Sequence, residues 1–513
     1  MIAPAAPGAS GRSGRILFVV SEAPPVTSGI ARSTGHLREG MEQAGFDVEV
    51  LSLSDVPRVC LGEVRISSML WRGSRQLLSR ATSRDIVHIH GPVPTFSDLS
   101  LLFTALGRRT KRGVNRRPLI VYTHHSEIDL PGYGPLCALY NRSHKLLARL
   151  ADEVIVTTPA YAKEVSQYVP SERVSVVPWG TDEQQAPPEF RKRDRFTVLF
   201  VGQIRPYKGL DTLLAAIDGL EDVDLHVVGT GHREHYYRQL AEERGLDHVT
   251  FHGWQSDEDV RRWYEQAHVL VLPSKTRAEA FGIVLLEGMV AGCVPVASQL
   301  PGVTDVVGNA GLTFPVDDDL ALRETLVRLR DDRQLRLRLA ERARERGALF
   351  TWPRMVFWHK AIYERLLALR RFERALRHTP VHLALRSLMW DSLSTIGVVS
   401  ASIRISSGGA PAEVVEATVE LSDEAQDRAS SLAVPIIARG GLLGVLTVSS
   451  RADHQFNDFE TQWLTSLAQR VGSVLVRHGF SPPGRLPGEL NPPPPPDAWM
   501  RDEVQPPRSR SVA

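Results

Sequence analysis

Cysteine is scarce in this chain, and its positive and negative charges nearly cancel. Three cysteines occur in 513 residues, Cys60, Cys137 and Cys293. They are odd in number and far apart, which excludes a disulfide framework or a metal-binding spacing and fits a reducing, cytoplasmic compartment. Lysine and arginine number 61 against 59 acidic residues, a net charge of +2, so no global field draws the chain to nucleic acid. No apolar run approaches the roughly 18 residues of a membrane span. The opening MIAPAAPGASGRSG is small and turn-rich and lacks the apolar core of a secretory leader.

What is present is an ordinary globular composition, 42% apolar and 23% charged, in a chain long enough for several domains. RILFVV (15–20), FDVEVLSL, DIVHIHG, PLIVYTHH and DEVIVTT are short strand-like runs separated by helical patterns such as YNRSHKLLARLA. That alternation predicts a parallel, doubly wound sheet. After VSVVPWGTD (174–182) the stretch EQQAPPEFRKRDR is polar and proline-containing, as a linker would be, and the pattern then restarts. FTVLFVG, DLHVVG, VTFHG, HVLVLPS and VPVAS, again with helices between them, make a second α/β unit. Two such units leave a cleft between them, and ligands of these folds sit at the carboxyl ends of the strands.

The stretch EAFGIVLLEGMVAG (279–292) carries two glutamates, Glu279 and Glu287, in otherwise apolar surroundings. A helix over 283–292 is apolar nearly all round and belongs between a sheet and other helices. Glu287 then projects among Ile283, Val284 and Ala291, where a carboxylate needs a partner or a wet cavity. The plain alternative is a glutamate whose stem lies on the core while its head reaches water. Glu279 precedes the helix, and Gly282 stands near its start, where free backbone N–H groups receive anions.

SKTRAEAFGIVLLEGMVAGCVPVAS (274–298) resembles the E-x7-E signature of glycosyltransferase family 4, the retaining enzymes of GT-B fold that use nucleotide-diphosphate sugars. DIVHIHG, YTHHSEID, VVPWGTD, VGQIRPYKGLD and the N-terminal loop with Gly29 match in the expected order, and the resemblance spans about residues 15–372. It implies two Rossmann-like domains facing a cleft: an acceptor-side domain over 15–185, a donor-binding domain over 195–350 and a closing helix over 351–373. It implies that Glu287 holds the ribose hydroxyls of the donor and that Glu279 lies at the hydroxyls of the transferred sugar. Phe281, Gly282 and Ile283 would present backbone N–H groups, with Gly29 opposite them. Lys208 and Arg205 would supply cations to the diphosphate, and no metal or other cofactor is expected. The carboxylate groups DVD (222–224) and DDD (317–319) stand in surface-like contexts. The family more often has arginine directly after the glycine of VGQIRPYKGLD; here Gln203 stands there, and Arg205 is the replacement two positions on. His125 matches the family's histidine near the donor sugar and phosphate. His124 is its rival, and on a continuing strand the two point opposite ways. His88 and His90 share one strand face, and His90 is an acceptor-side candidate with packing as the alternative. GTGHRE (229–234) lacks the third glycine of a dinucleotide fingerprint and is taken as a tight turn.

Beyond the transferase body, LAVPIIARGGLLGVLTVSS and the helix after FNDFE resemble the second half of a GAF domain, over 380–478. The segments 1–14 and 481–513, the latter containing NPPPPPDAW, are expected to be disordered. The implied partners are a nucleotide sugar, a saccharide or lipid-linked acceptor and no nucleic acid, with a dimer through the GAF-like module as an option. The basic run ALGRRTKRGVNRRP (105–118) suits contact with anionic lipid headgroups or a solvated loop equally. The implied activity is retaining hexosyl transfer in envelope polysaccharide or glycolipid synthesis. A GT-B phosphorylase, an NAD-dependent dehydrogenase, or a non-catalytic sensory protein built around the GAF-like module are the alternatives. Because the transferase resemblance ends near Arg371, a chain cut near residue 375 is expected to keep donor hydrolysis.

Overall fold

The apolar runs become buried parallel strands, because sheets covered by helices on both faces need apolar side chains on both. The computed structural model describes residues 14–23, 28–55, 58–61, 64–67, 73–110, 117–129, 132–182, 192–393, 396, 398–406, 414–420, 428–451 and 454–482. Most of the linker after Asp182, the centre of the basic run at 105–118, the first thirteen residues and nearly all of the proline-rich tail lie outside these. In the first domain the strands are β1 (Arg15–Val20), β2 (Asp47–Ser52), β3 (Arg58–Leu61), β4 (Val64–Ser67), β5 (Ile86–Gly91), β6 (Leu119–His124), β7 (Glu153–Val156) and β8 (Val174–Val176). Six of them form a sheet of order β2-β1-β5-β6-β7-β8, its pairs parallel, while β3 and β4 make a separate hairpin that the sequence patterns did not reveal.

The second domain repeats the plan with β9 (Phe196–Val201), β10 (Val223–Val228), β11 (Val249–Gly253), β12 (Val269–Leu272), β13 (Val294–Ser298) and β14 (Leu312–Phe314), in the order β11-β10-β9-β12-β13-β14. The three-residue β14, too short for a periodic signal, is an addition to the sequence reading. The turn at GTG is tight for a physical reason. A Cβ on Gly229 would stand 2.0 Å from the carbonyl oxygen of Gly202, and one on Gly231 2.2 Å from that of Ile204. Side chains there would push away the loop that carries Lys208, which this turn holds through Gly202 N–H to Val228 O at 3.0 Å and Ile204 N–H to Thr230 O at 2.9 Å.

The C-terminal module is a four-stranded antiparallel sheet, β15 (Val398–Ser406), β16 (Val414–Glu420), β17 (Arg428–Ala438) and β18 (Gly441–Arg451), in the order β16-β15-β18-β17. Arg439 (φ 50°) and Gly440 (φ 73°) form its central two-residue hairpin turn, both left-handed as such a turn demands. The terminal helix Asp458–Arg477 starts on a capping box, Asn457 with Glu460.

This module is not an appendage. The helix Trp352–Ala375, read as a closing helix, shares one apolar core with the β1–β8 domain and with the module: Phe18, Ile86, Trp358, Ile362, Leu366, Trp463 and Leu467 belong to a single buried cluster. Trp358 packs on Phe459 with ring centroids 3.8 Å apart and the planes tilted by 36°. An ionic knot crosses the same interface. Glu153 of β7, fully buried, accepts from Arg365 of the closing helix at 2.9 Å, from Ser175 at 2.5 Å and from Arg470 of the terminal helix. Burial pulls the Arg365 guanidinium down to about 10 against the opposing pull of Glu153. Two guanidinium groups share this one carboxylate and Arg365 Nε is left without a partner, so the knot depends on Glu153 staying in place.

Candidate functional site

The carboxyl ends of the two main sheets face each other, and the stretch EAFGIVLLEGMVAG lies on that boundary. Leu285, Leu286, Gly288 and Met289 of its helix, Ile283–Val290, are buried, as its all-round apolar sequence requires. Gly282 caps it at φ 79°. The first N–H groups of this helix, at Ile283 and Val284, have no carbonyl of their own helix to bond and form the positive end of its dipole. Phe281 just before it is buried, packed between Trp179 (5.8 Å) of the first domain and Phe350 (6.2 Å). Gly29, which opens the first helix Gly29–Gln43, stands across from Ile283: a Cβ there would meet Ile283 Cδ1 at 3.1 Å.

Glu287 has its partner inside the protein. Its Oε1 accepts from Arg32 Nη1 at 2.5 Å and its Oε2 from the Tyr264 hydroxyl at 2.8 Å. Arg32 belongs to the first domain, so this bond crosses the cleft, and its Nη2 also reaches Asp182 at 2.7 Å. Burial raises the Glu287 carboxyl above its usual range, and the Arg32 charge and the Tyr264 hydroxyl hold it back. Arg32 was missed at the sequence level. It is visible in SGIARS as an arginine one turn into a helix, but nothing in the sequence pairs it with a glutamate 255 positions away.

Glu279 forms the second pair. It binds the Lys208 ammonium and accepts from Ser274 Oγ at 3.1 Å. Burial would lower the Lys208 ammonium, but the charge of Glu279 outweighs it, and the net shift is upward. Lys208 ends the short turn Pro206–Lys208, which Arg205 precedes. Arg205 and Gln203 are both exposed. Arg205 acts on Lys208 as a like charge rather than joining the Lys208–Glu279 pair.

The histidines divide as strand alternation predicts. His124 packs with Tyr122, His144 and Tyr161, whereas His125 turns the other way, towards His90 (ring centroids 5.5 Å) and Trp179 (5.3 Å). His88 and His90 share a face, 4.3 Å apart. His88 is fully engaged, with the Tyr363 hydroxyl at 2.6 Å and Thr123 Oγ1 at 2.7 Å. Neither ring nitrogen of His90 or of His125 has a partner, although both residues are buried. Burial lowers His125 to about 4, and burial together with the His125 imidazole pulls His90 well below its ordinary value. Both rings are therefore neutral near pH 7 and offer hydrogen bonds, not charge. His90 lines a small cavity with Ser33, Thr123, Trp179 and His359.

Four of the carboxylates of DVD and DDD are engaged elsewhere. Asp222 pairs with Arg330 (3.0 Å), Asp224 with Arg195 (3.4 Å) and Asp317 with Lys275 (2.6 Å), and Asp318 caps a helix through Ala321 N–H at 2.9 Å.

Comparison with known proteins converges on this arrangement. Residues 28–180 match the glycosyl transferase 4-like domain, 181–346 match the glycosyl transferases group 1 model, and 401–475 match the GAF domain. The chain is 29% identical to O-antigen chain mannosyltransferase C of Escherichia coli over 297 residues, 55% of this chain and 76% of that one. Among solved structures, sucrose-phosphate synthase from Thermosynechococcus elongatus superposes with a TM-score of 0.55 at 21% identity, covering 69% of this chain and 99% of that one. HepE of Anabaena, solved in complex with UDP and glucose, gives 0.52 at 19% identity, with the same coverage. At these identities the structural matches establish the GT-B fold and nothing finer.

Proposed function

From a chain that belongs to the glycosyltransferases, with a 4-like domain joined to a group 1 domain in a GT-B fold and a GAF domain behind them, we propose the following reaction. A sugar passes from a nucleotide-diphosphate donor to a saccharide, lipid or small-molecule acceptor with retention of anomeric configuration, in polysaccharide or glycolipid synthesis. The observation that carries this proposal is the pair of ion-paired carboxylates on the cleft, one before and one within the helix Ile283–Val290: Glu279, buried, with Lys208, and Glu287, half-buried, with Arg32. Relatives support the reaction class, the mannosyltransferase of E. coli among them.

In the proposed mechanism the bond from the anomeric carbon to the diphosphate breaks, and negative charge grows on the leaving oxygen. Prepositioned donors aimed at that charge supply most of such catalysis. Lys208 has ammonium protons beyond the one held by Glu279, Arg205 adds a cation at the rim, and Phe281, Gly282 and Ile283 bring the helix N-terminus. Glu279 receives hydroxyls of the transferred sugar, and Glu287, with lone pairs beyond those used by Arg32 and Tyr264, receives the ribose hydroxyls. His125, neutral, bonds the donor sugar or phosphate without adding charge, and His90 lies on the acceptor side. Gly29 leaves room for the donor between the domains. No metal or other cofactor is assigned a role.

The test is a donor-hydrolysis screen of the purified full chain across UDP-, GDP- and ADP-sugars, followed by NMR of the released or transferred sugar. Retained configuration and activity that survives EDTA are expected. An inverted product, or activity lost to EDTA and restored by Mg²⁺ or Mn²⁺, would overturn the mechanism. Lys208→Ala is expected to depress turnover more than donor binding, since its partner charge grows in the transition state.

A further inference from the structure

The chain enters Glu279 through a tight turn, TRAE (276–279), closed by Glu279 N–H on Thr276 O at 3.1 Å. Arg277 and Ala278 stand at its two corners. Whatever holds the Arg277 side chain therefore also fixes where Glu279 starts. Lys275, two residues earlier, ties this loop to its own domain through Asp211 at 2.8 Å and Asp317 at 2.6 Å. Arg277 does the opposite. It leaves the β9–β14 domain and bonds two acids of the β1–β8 domain, Glu127 at 3.3 Å and Glu164 of the helix Pro159–Val165. Both of its Nη groups are taken in this way, and the guanidinium faces the Tyr161 ring at 5.9 Å, while Nε has no partner. Burial raises the Tyr161 hydroxyl, Arg277 opposes that, and Glu164 and Glu279 add to it, so all three charges act on one hydroxyl.

The domains meet at this helix without the arginine as well. Ala160 N–H donates to Asp305 at 2.8 Å, and the Tyr161 hydroxyl donates to Pro301 O at 3.2 Å. What Arg277 adds is a link from the β1–β8 domain to the turn itself. We infer that Arg277 is a positioning residue: Glu127 and Glu164 hold the turn 276–279 from across the cleft, and through it set Glu279 against the transferred sugar. This role rests on the reaction proposed above for Glu279. Arg277 is not a second cation for the diphosphate, because two carboxylates already occupy its Nη groups, whereas Lys208 meets a single carboxylate. Glu127 lies two positions beyond His125 and has Lys145 as its other partner at 2.6 Å. A group that settles beside His125 and shifts Glu127 is thereby felt at Glu279 through one side chain.

The test uses the full chain and two readouts. Hydrogen–deuterium exchange of a peptide spanning 274–282 follows the turn with no donor present. Arg277→Gln and the double variant Glu127→Gln/Glu164→Gln are both expected to speed exchange there by roughly tenfold, although the two acids lie 150 and 113 positions from the arginine. The three side chains are 24%, 21% and 33% exposed, and ion pairs so exposed add little to stability, so circular dichroism melts should stay unchanged. Donor hydrolysis is then measured with UDP-glucose, GDP-mannose and ADP-glucose. Both variants are expected to lower kcat by roughly ten- to a hundredfold while affinity for the matching nucleoside diphosphate moves less than about twofold. Arg277→Lys, which keeps the charge, should recover part of the loss. Unchanged exchange in the double acid variant would overturn the inference. So would a loss that falls on nucleotide affinity, which would make Arg277 a cation for the diphosphate after all. A wild type that hydrolyses none of the three donors would count against the transfer reaction instead, and the exchange result would still decide whether the acids hold the turn.

Discussion

The two α/β domains are built on the same plan, yet they complete their cores differently. The β9–β14 domain closes both faces of its sheet with its own helices, in one cluster around Phe200, Leu214 and Leu322 and another around Leu270, Leu285 and Val306. The β1–β8 domain closes one face that way, around Val19, Tyr122 and Val165, and brings Leu37 and Met41 of its helix Gly29–Gln43 to the other. That other face is completed by the helix Trp352–Ala375 and, through it, by the GAF module, whose Leu464, Leu467 and Val471 belong to the same cluster as Phe18 and Ile86. One domain can therefore be stable by itself. The other depends on distant chain, Arg365 and Arg470 lying 212 and 317 positions beyond Glu153.

The sharpest way to break this comparison is to remove the module. The transferase motifs end near Arg371, so sequence alone makes a chain cut at 375 look complete. The structure reverses that expectation. The cut takes Arg470 from Glu153, Phe459 from Trp358 and the Trp463 ring from Arg365, which it faces at 5.3 Å. Aggregation, or loss of more than about 5 kcal/mol of stability, is expected, several buried apolar side chains being worth roughly 1.5–3 kcal/mol each. A fragment of residues 192–350 should by contrast stay folded by circular dichroism. A stable, active 1–375 chain would mean that the shared core is only adjacency. The single change Glu153→Ala comes next. It strands the buried Arg365 guanidinium and the half-buried one of Arg470, and breaking a buried pair from one side costs about 3–5 kcal/mol. Denaturant melts of the full chain read this directly, and a change under about 1 kcal/mol would show that water screens the knot.

The difference between the domains also sets what was legible in the sequence. Runs such as FTVLFVG and RILFVV declare buried strands because their period and length are local properties. The E-x7-E stretch declares its helix and its anomalous glutamates in the same way. The hairpin β3–β4 and the strand β14 were missed because four and three residues are too few to carry a period. Strands β15 and β16 were missed for a different reason: SASIRIS and VVEATVE carry strand alternation but lack the turn signature that betrayed Arg439-Gly440. What no local pattern holds is partnership at distance. Glu153 in DEVIVTT looks like an ordinary strand-edge acid, and neither Arg365 nor Arg470 advertises where it points. Of the candidate site, Glu279, Glu287, Lys208 and His125 were found as chemistry out of place in apolar or motif context. Arg32 was not, because an arginine on the first turns of a helix is unremarkable until its partner is seen.

Acid should weaken both domains, because burial also depresses His226 and His268 of the β9–β14 domain to about 4. His125 in the β1–β8 domain is fully buried and depressed to about 4, and His88 and His90 beside it are also pulled down by burial. The unfolded chain takes up these protons first, near pH 6.5, so stability is present above that value and lost as pH falls towards 4. For His125 the drop from 6.5 to about 4 corresponds to roughly 3 kcal/mol at the bottom of the window. Melts at pH 7.5 and 4.5 should show this loss, and His125→Asn should flatten it. An identical pH slope in that variant would mean the ring is reached by water.

The smallest effect expected is also the one that joins the two domains. Arg32 and Glu287 lie on opposite sides of the cleft, and Tyr264 supplies the only other hydrogen bond to that carboxylate among the described residues. If Glu287 receives ribose hydroxyls, Glu287→Ala should weaken nucleotide binding by about 1.5–3 kcal/mol, roughly 10- to 150-fold. The fold should persist, because the helix stays apolar and Arg32 keeps Asp182, although the buried Tyr264 hydroxyl loses its acceptor at a cost of about 1–3 kcal/mol. Arg32→Ala leaves the carboxylate buried with one partner, so burial, which already raises its pKa, goes less opposed. Nucleotide affinity in that variant should therefore fall as pH drops towards 5, while Glu287→Ala, lacking the titrating group, should be flat across the same range. Calorimetry with UDP, GDP and ADP at pH 5 and 7.5 separates the cases. Unchanged affinity in Glu287→Ala would leave the glutamate as a strut between domains, and a pH-independent Arg32→Ala would mean that Tyr264 alone keeps it ionised.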